Sequence, residues 1–376
     1  MNKKIRKAIE YIAFFVYNRI YGIFVPLNSK KVLFASEARE SLRGNLKAVY
    51  RKIPEGYERF VHLKGDRREG SGVKDTLKLW RDLTTAKYIF LDDFYGPLSS
   101  MRIREGQEVI QLWHGAGAFK KFGFSRMNTG DNITGIHRGY RKYTKVSVTA
   151  EAVRECYAEA FDLDMEKVQA MGSPRTDVFF HQMDKEQAAQ RVYTQYPQLQ
   201  GKKVVLIAPT YRGRKVEDAD YDFDRLNIEM LLQSLGERYA VVVKWHPALY
   251  NNIKRGKVDF HGAQTVDASN YEDINDLLIV ADILVTDYSS VIFDWYLTDK
   301  PVVYFTYDLE EYSESRGLYF GFEEYVYGNV AKDWKQLAVA IKEESLGAEK
   351  RKAFGEKFMS ACDGRSTERI VQWIFK

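Results

Sequence analysis

The chain has 376 residues and a formal net charge of +5, and this length is typical of two domains of about 150–200 residues each. Its 45% hydrophobic and 29% charged content excludes a disordered chain, and the modest basic excess suits a phosphate-rich partner or an anionic membrane surface. The two cysteines, Cys156 and Cys362, form neither a metal-ligand spacing nor a disulfide framework, which favours a reducing compartment.

Residues 1–27 form an apolar segment with a basic start. Glu10, Asn18 and Arg19 interrupt the segment and no small-residue cleavage site follows, so it matches neither a signal peptide nor a span of about 20 apolar residues. Its helical spacing predicts an amphipathic helix, and two placements fit equally well: the membrane interface and the surface of the first domain. The apolar positions are Ile5, Ile9, Ile12, Val16, Ile20 and Ile23.

After Pro26 the chain changes to short apolar runs separated by helical segments. A polar stretch around 182–201 divides these runs into two series. The alternation in both series predicts an α/β protein with two doubly wound, Rossmann-like domains facing a cleft, with ligands beyond the carboxyl ends of the strands. Strands are predicted at 30–36, 58–65, 87–93, 108–115, 145–150, 202–210, 239–247, 281–290 and 300–308, with helices at 44–53 and 73–84.

The run "EVIQLWHGAGAFKKFG" brings a histidine, His114, to the end of a predicted strand. Histidine titrates near neutral pH and can act as a general base there, although a histidine that caps a loop is the commoner case. Gly115 and Gly117 would let an anionic substrate approach the backbone. Lys120 and Lys121 fit either an acceptor loop that meets this anion or a solvated lysine pair.

Two further clusters follow strands of the second series. "APTYRG" contains Thr210 and Arg212, and "KWHP" contains Lys244 and His246. Arginine at a strand end offers a rigid fork for phosphate, while a surface ion pair is the simpler explanation. The second histidine beside a lysine adds to the same pattern.

The runs "TDYSSVIFDWY" and "ESRGLYF" complete the set. Asp287 ends a strand, and Ser289 and Ser290 stand where a helix must start, as helix caps or as part of an anion site. Arg316 and Gly317 follow the last strong strand. Each cluster alone has an ordinary structural explanation. Together they predict a site for a diphosphate in the interdomain cleft.

Standard nucleotide and metal signatures are missing from the sequence: it contains no GxGxxG, no GxxxxGK[ST], no HExxH and no CxxC. "DLD" at 162–164 and "DFD" at 222–224 follow no apolar strand and are interpreted as solvated loops. Nothing in the sequence requires a metal. Asp92 or Asp93 stands at a strand end, where a helix cap is an equally good interpretation.

Taken in order, these motifs resemble the CDP-glycerol glycerophosphotransferase family of teichoic-acid synthesis. The resemblance runs from about residue 30 to residue 325. The matching runs are "WHG" followed by "KKFG", "GSPRTD" (172–177), "APTYRG", "KWHP", "TDYSSVIFDW", "KPVVYFTYD" and "RGLYF".

The resemblance implies a GT-B-like fold at the cytoplasmic face of the cell membrane, as a peripheral protein. Combined with the patterns above, it predicts three regions: an N-terminal amphipathic, membrane-interface helix at 1–27, a Rossmann-like acceptor domain at 28–185 and a Rossmann-like CDP-donor domain at 186–376. The implied reaction moves glycerol phosphate from CDP-glycerol to a lipid-linked teichoic-acid acceptor and releases CMP, with no cofactor beyond the donor. The implied partners are the lipid-linked primer, an anionic membrane surface and other teichoic-acid enzymes, not nucleic acid.

The resemblance also implies roles for single residues. His114 would be the catalytic base and His246 would contact the donor's phosphates. Ser289 and Ser290 would bind the pyrophosphate. The other implied donor-site residues are Thr210, Arg212, Lys244, Asp287, Arg316 and Gly317.

The loop after "WHG" departs from the Thr-Pro-Leu of many members, because Ala116 to Phe119 stand there. This departure leaves CDP-ribitol open as the donor. Two other functions stay open as well: a GT-B sugar-nucleotide glycosyltransferase, and an inactive partner protein of an envelope-assembly complex.

Overall fold

The structure is a computed structural model that describes residues 3–64, 72–129, 135–213, 218–252 and 264–376. The chain divides into two compact units. Unit 1 comprises Met1–Gly115, Phe122–Asp177 and Ser360–Lys376, and unit 2 comprises Ala116–Lys121 and Val178–Met359. The predicted boundaries divide the chain into consecutive segments. In the structure, the short internal segment 116–121 belongs to unit 2 and the C-terminal segment 360–376 belongs to unit 1.

The first sheet is built from six parallel strands in the order β2-β1-β3-β4-β5-β6. This order reverses between β1 and β3, which makes the sheet doubly wound. The elements are α1 (Lys3–Phe24), β1 (Asn28–Ala35), α2 (Gly44–Lys52), β2 (Glu58–His62), α3 (Val73–Thr85), β3 (Ala86–Leu91), β4 (Glu108–Gln111), β5 (Lys145–Ser147), α4 (Arg154–Phe161) and β6 (Val168–Gln169).

The second sheet is also parallel, with the order β12-β11-β10-β7-β8-β9. Its order reverses between β7 and β10. The elements are α5 (Gln182–Gln195), β7 (Lys203–Ile207), α6 (Phe223–Leu226), α7 (Ile228–Leu235), β8 (Tyr239–Val243), α8 (Pro247–Asn252), β9 (Thr265–Asp267), α9 (Ile274–Val280), β10 (Ile283–Thr286), α10 (Val291–Tyr296), β11 (Val302–Phe305), α11 (Leu309–Arg316), β12 (Asn329–Ala331), α12 (Trp334–Glu343) and α13 (Ala348–Phe358). The last helix, α14 (Ser366–Ile374), belongs to unit 1.

The central strands of both sheets are buried on both faces, as their continuous apolar runs require. In unit 1, Phe34 and Phe90 pack with α2 and α14, and the alternate residues Leu33 and Ile89 are equally buried. In unit 2 the strands β7, β8, β10 and β11 pack against α7 and α12 in the same way. The predicted α/β class is confirmed. The polar stretch around 182–201 forms helix α5, which packs on α9.

Helix α1 packs on unit 1 through one side. Phe14 is buried against Trp80, and the amide of Asn18 donates to Thr84 Oγ1 and accepts from the backbone N–H of Arg102. No helix in the described part of the chain combines the length and hydropathy that a membrane span needs. The apolar residues on the other side are exposed, namely Ile5, Ile9, Ile12, Val16, Ile20 and Ile23.

The "GSPRTD" motif anchors the C-terminal helix α14 in unit 1. The Asp177 carboxylate accepts the backbone N–H groups of Ser366 and Thr367 at 3.0 and 2.8 Å, so it caps the helix. A Cβ at Gly172 would lie 2.3 Å from Ser366 Oγ, and its φ of +92° favours glycine as well. The motif thus has a structural role in joining residues 172–177 to α14.

A buried carboxylate, Asp82 of α3, ties this helix to the strands β1 and β2. It accepts from Lys31 Nζ at 2.6 Å and lies 2.8 Å from His62 Nε2. Burial alone raises the pKa of Asp82, but the hydrogen bonds and charges of His62 and Lys31 outweigh this and lower the pKa to about 2. The ionised carboxylate therefore stabilises the folded state.

Because the pKa of Asp82 is lower in the folded chain than in the unfolded chain, its contribution is present above about pH 4 and is lost as the pH falls toward 2. We expect the free energy of unfolding to fall by about 2 kcal/mol more in the wild type than in Asp82→Asn over this window. Urea unfolding at several pH values measures the difference. The exposed Asp164→Asn serves as control, and equal slopes for all three proteins would contradict the prediction.

Candidate active site

The predicted donor residues of unit 2 lie at the reversal point of its sheet. Thr210 follows β7 and Asp287 follows β10, and these two strands are neighbours. The Thr210 backbone N–H donates to Asp287 Oδ1 at 2.8 Å. Ligands of open α/β sheets bind beyond the carboxyl ends of the strands at such a point. The structure therefore brings two of the predicted residues together where a ligand is expected.

Arg212 is held by two carboxylates. Its Nη1 donates to Asp287 Oδ2 at 2.7 Å and to the carbonyl oxygen of Thr210 at 3.0 Å. Its Nε and Nη2 donate to the two oxygens of Asp308 at 2.5 and 2.9 Å. Burial alone lowers the pKa of Arg212, but Asp287 and Asp308 outweigh it and raise the pKa above its ordinary value. The guanidinium thus stays charged and links the loops after β7, β10 and β11.

Tyrosine rings surround this guanidinium. The Tyr288 hydroxyl donates to Asp308 Oδ1 at 3.0 Å, and its ring stacks on Tyr312 with centroids 4.0 Å apart. Rings this close to a guanidinium favour its positive charge. The four rings whose centroids lie 5.1–5.3 Å from the guanidinium carbon are Tyr221, Tyr288, Tyr307 and Tyr312.

The segment Ala116–Lys121, predicted as an acceptor loop of the first domain, packs within unit 2. Lys120 Nζ donates to Thr210 Oγ1 at 2.9 Å, so this lysine lies beside a predicted donor residue. The Lys121 N–H donates to the carbonyl oxygen of Gly317, and Lys120 forms an antiparallel bridge with Leu318. The "FKKFG" and "RGLYF" motifs are therefore in direct contact, which their separation in sequence conceals.

Gly117 is needed for packing inside unit 2. A Cβ at this position would lie 2.4–2.5 Å from the ring of Phe293, and φ is +61°. The following carbonyl, of Ala118, accepts from the Tyr325 hydroxyl at 2.8 Å, and Phe119 stacks on the Tyr325 ring. The proximity of Phe293 therefore explains why glycine stands at this position, independently of the predicted approach of an acceptor phosphate.

Lys244 and His246 follow β8, the other neighbour of β7. Lys244 Nζ donates to the carbonyl oxygens of Ala268, Ser269 and Tyr271 at 3.3, 3.1 and 2.7 Å, so it holds the loop after β9. His246 is exposed, and its Nδ1 accepts the backbone N–H of Ala248 at 3.2 Å. In the neutral imidazole the proton is then on Nε2, which can donate to an anion.

Ser289 and Ser290 precede α10, a helix of six residues. The Val291 N–H donates to Ser289 Oγ at 3.4 Å, and the exposed Ser290 occupies the N-cap position without a side-chain cap bond. Arg316 ends helix α11, and its side chain lies outside the described residues. Gly317 has φ +67°, in the region that favours glycine.

His114 belongs to unit 1 and follows β4. Its side chain is 46% exposed, and its Nδ1 lies 3.4 Å from Asp93 Oδ1. The preceding Trp113 has φ +53°, which is rare for a large side chain, and its indole stacks on the imidazole with centroids 4.5 Å apart. The carbonyl oxygen of Gly115 accepts from the Tyr157 hydroxyl at 3.2 Å. The exposed imidazole is thus fixed by its neighbours.

The sequence missed several residues that support these positions. Asp308 ends the run "KPVVYFTYD" and follows β11. Its position at a strand end is the sequence feature that could have identified it. Asp93 follows β3; the sequence placed it at a strand end but gave it no role beside His114. Tyr325 stands in the aromatic-rich stretch 319–327, outside any predicted strand, and has no such signal. Among the described residues, no group of three or more histidine, cysteine, aspartate or glutamate side chains could hold a metal ion.

Comparison with known proteins gives one family match and close relatives. The family described as CDP-glycerol:poly(glycerophosphate) glycerophosphotransferase matches residues 17–376. A teichoic acid poly(ribitol-phosphate) polymerase of Bacillus spizizenii is 37% identical over 99% of this chain. The teichoic acid ribitol-phosphate polymerase TarK of Staphylococcus aureus is 35% identical over 100% of it. The chain spans 60% of the length of the first relative and 75% of the second.

A solved structure shares the fold. It is a histidine-to-asparagine variant of the wall teichoic acid polymerase TagF soaked with CDPG, with a TM-score of 0.78 at 22% identity. The match covers 99% of this chain and 97% of the other. The fold of this chain is therefore shared with a solved structure.

Proposed function

Because the chain belongs to the CDP-glycerol:poly(glycerophosphate) glycerophosphotransferase family, we propose that it transfers a polyol phosphate from a CDP-linked donor to a lipid-linked teichoic-acid acceptor and releases CMP. The observation that carries this proposal is the cluster at the reversal point of the second sheet. Thr210, Lys120 and Asp287 meet there, and the exposed His246 follows the adjacent strand. Binding a diphosphate requires hydrogen-bond donors and positive charges close to its oxygen atoms.

Ribitol phosphate is the stronger candidate for the transferred group. Both relatives described above are named for ribitol phosphate, at 37% and 35% identity. The family description names glycerophosphate, and the solved polymerase variant was soaked with CDPG, so CDP-glycerol is the second candidate.

In the proposed reaction His114 acts as the general base. Its imidazole takes the proton of an acceptor hydroxyl while that oxygen bonds to the β-phosphorus of the donor. The bond between this phosphorus and the bridging oxygen breaks, and CMP leaves with the electron pair. Phosphoryl transfer leaves the protein mainly positioning and electrostatic stabilisation to supply.

The groups we assign to the donor phosphates are His246, Lys120 and Thr210, with Ser289 and Ser290 at the start of α10. His246 Nε2–H and the Lys120 ammonium would stabilise the charge that grows on CMP. Arg316 and Gly317 keep their predicted place in this set. Arg212, Asp287 and Lys244 support it, since their polar atoms bind protein groups in the structure.

The test is CMP release from CDP-ribitol and from CDP-glycerol, each with a lipid-linked teichoic-acid primer. Primer-dependent turnover of either donor supports the reaction, and the faster donor identifies the polyol. A UDP-sugar that stabilises the protein against heat when neither CDP-polyol does would favour a glycosyltransferase. Failure to bind any CDP compound would favour the inactive partner protein.

We propose further that the protein is a peripheral protein of the cytoplasmic membrane face, bound through helix α1. The exposed row of isoleucines on α1 and the basic residues at its start fit an anionic membrane surface. The double variant Ile12→Glu/Ile20→Glu should lose sedimentation with anionic liposomes. Val339→Glu, at an exposed valine of unit 2, is the matched control. Unchanged binding of the double variant would exclude α1 as the contact.

A further inference from the structure

The imidazole of His114 faces a carboxylate that lies outside the recognised motifs. Strands β3 and β4 are parallel neighbours, with Leu91 paired to Gln111, so the residues that follow them emerge side by side. Asp93 follows β3 and His114 follows β4. Oδ1 of Asp93 lies 3.4 Å from Nδ1 of His114. The other ring nitrogen, Nε2, is thereby left for a substrate.

One buried side chain fixes both loops. Gln111 is fully buried, its Nε2 donates to the carbonyl oxygen of Asp93 at 2.9 Å, and its Oε1 accepts the N–H of Trp113 at 2.8 Å. Asn45 Nδ2 donates to the carbonyl oxygen of Trp113 at 2.7 Å, which holds this residue at its positive φ. Backbone strain kept by surrounding bonds is typical of functional sites.

The carboxylate of Asp93 is negative at neutral pH. Burial alone raises its pKa, but the hydrogen bond and charge of His114, the Phe94 N–H and the charge of Arg39 outweigh burial and lower it. The Phe94 N–H donates to Oδ1 at 2.6 Å. The titratable and charged groups that face this carboxylate are His114, Arg39, Tyr140 and Tyr143.

We propose that Asp93 is a positioning residue for His114. It accepts the Nδ1–H of the imidazole, so that Nε2 carries the lone pair that takes the acceptor's proton. When that proton arrives, the carboxylate stabilises the imidazolium. This inference rests on the proposed function, in which His114 is the base, and it names the residue that sets the tautomer of the base.

The first test compares Asp93→Asn and Asp93→Glu in the CMP-release assay. We expect Asp93→Asn to lower kcat by about 10- to 10³-fold with little change in the KM for the donor, and Asp93→Glu to retain more of it. The acidic limb of the pH–rate profile should move to lower pH in Asp93→Asn, because loss of the negative charge disfavours the imidazolium. The neighbouring Asp92→Asn, whose native carboxylate bonds Arg39, should leave that limb in place.

The second test uses the His114→Ala background. Because Asp93 acts through His114, adding Asp93→Asn to that variant should change the rate by less than about twofold. A further loss as large as in the wild type would overturn the proposal. An acidic limb of the pH–rate profile that lies at the same pH in Asp93→Asn as in the wild type would also overturn the proposal.

A readout without catalysis separates this proposal from the proposed function. In protein labelled with ¹⁵N-histidine, NMR should show the His114 proton on Nδ1 in the wild type and a shifted tautomer in Asp93→Asn, with the His114→Ala spectrum giving the assignment. A proton on Nε2 in the wild type would overturn the role of Asp93. If the wild type releases CMP from neither donor, the proposed function fails while this measurement still decides the role of Asp93.

Discussion

Replacing His114 by alanine is expected to lower kcat for CMP release by about 10²–10⁴-fold, the range that general-base catalysis supplies. The side chain is exposed beyond the end of β4, so its removal leaves no cavity in the core. Donor binding depends on residues of unit 2 in our proposal and should persist. Steady-state kinetics, together with thermal stabilisation by the donor, measures the two effects separately.

The matched control is His137→Ala. His137 also belongs to unit 1 and stacks on Tyr140 in a 3₁₀ helix, with its ring centroid 5.9 Å from that of Phe94. Its replacement should keep kcat within about threefold of the wild type. If His114→Ala kept more than about a tenth of the wild-type kcat, His114 would not be the base, because general-base catalysis contributes at least about 10².

The main strands of both sheets could be predicted from sequence because they are continuous apolar runs bounded by polar residues. The missed strands β6, β9 and β12 have two or three residues each and lie at the edges of their sheets, where no continuous apolar run marks them. Each pairs in parallel with a single neighbouring strand. Long buried strands are thus visible in sequence, and short strands at the sheet edges are not.

Which segments belong to each unit depends on contacts between residues that are far apart in the sequence. The Asp177 cap holds α14 in unit 1, and the bridge between Lys120 and Leu318 holds the segment 116–121 in unit 2. Neither contact leaves a local signal in sequence, since each partner is an ordinary residue in its own surroundings. Boundaries drawn in chain order therefore miss both exchanges.

Candidate residues at strand ends could be found from sequence, but not their partners. Arg212 and Lys244 both look like cations for phosphate. In the structure the first binds two carboxylates and the second binds three carbonyl oxygens. Whether a cationic side chain is bound by other protein groups depends on tertiary contacts between loops that follow different strands. Sequence therefore points to a candidate site without assigning each cation its role.

Replacing Arg212 by methionine is expected to lower the free energy of unfolding of unit 2 by about 3–5 kcal/mol, because it leaves the fully buried Asp287 without its counter-charge. The loops after β7 and β10 lose their link, so stabilisation by a CDP-linked donor should be lost as well. Hydrogen exchange of the amides in β7 and β10 reports the change in this region directly.

Two comparisons distinguish this explanation from a general effect of losing an arginine. Arg225 forms an exposed pair with Asp222 at 3.3 Å, so Arg225→Met should cost less than about 1 kcal/mol. In Arg212→Met the deficit should shrink as the pH falls toward about 4, because burial already raises the pKa of Asp287 and the loss of Arg212 raises it further, so that the carboxyl is protonated in the folded chain above that pH. A deficit that is equal in both variants, or that does not change with pH, would mean that the buried ion pair is not what holds these loops.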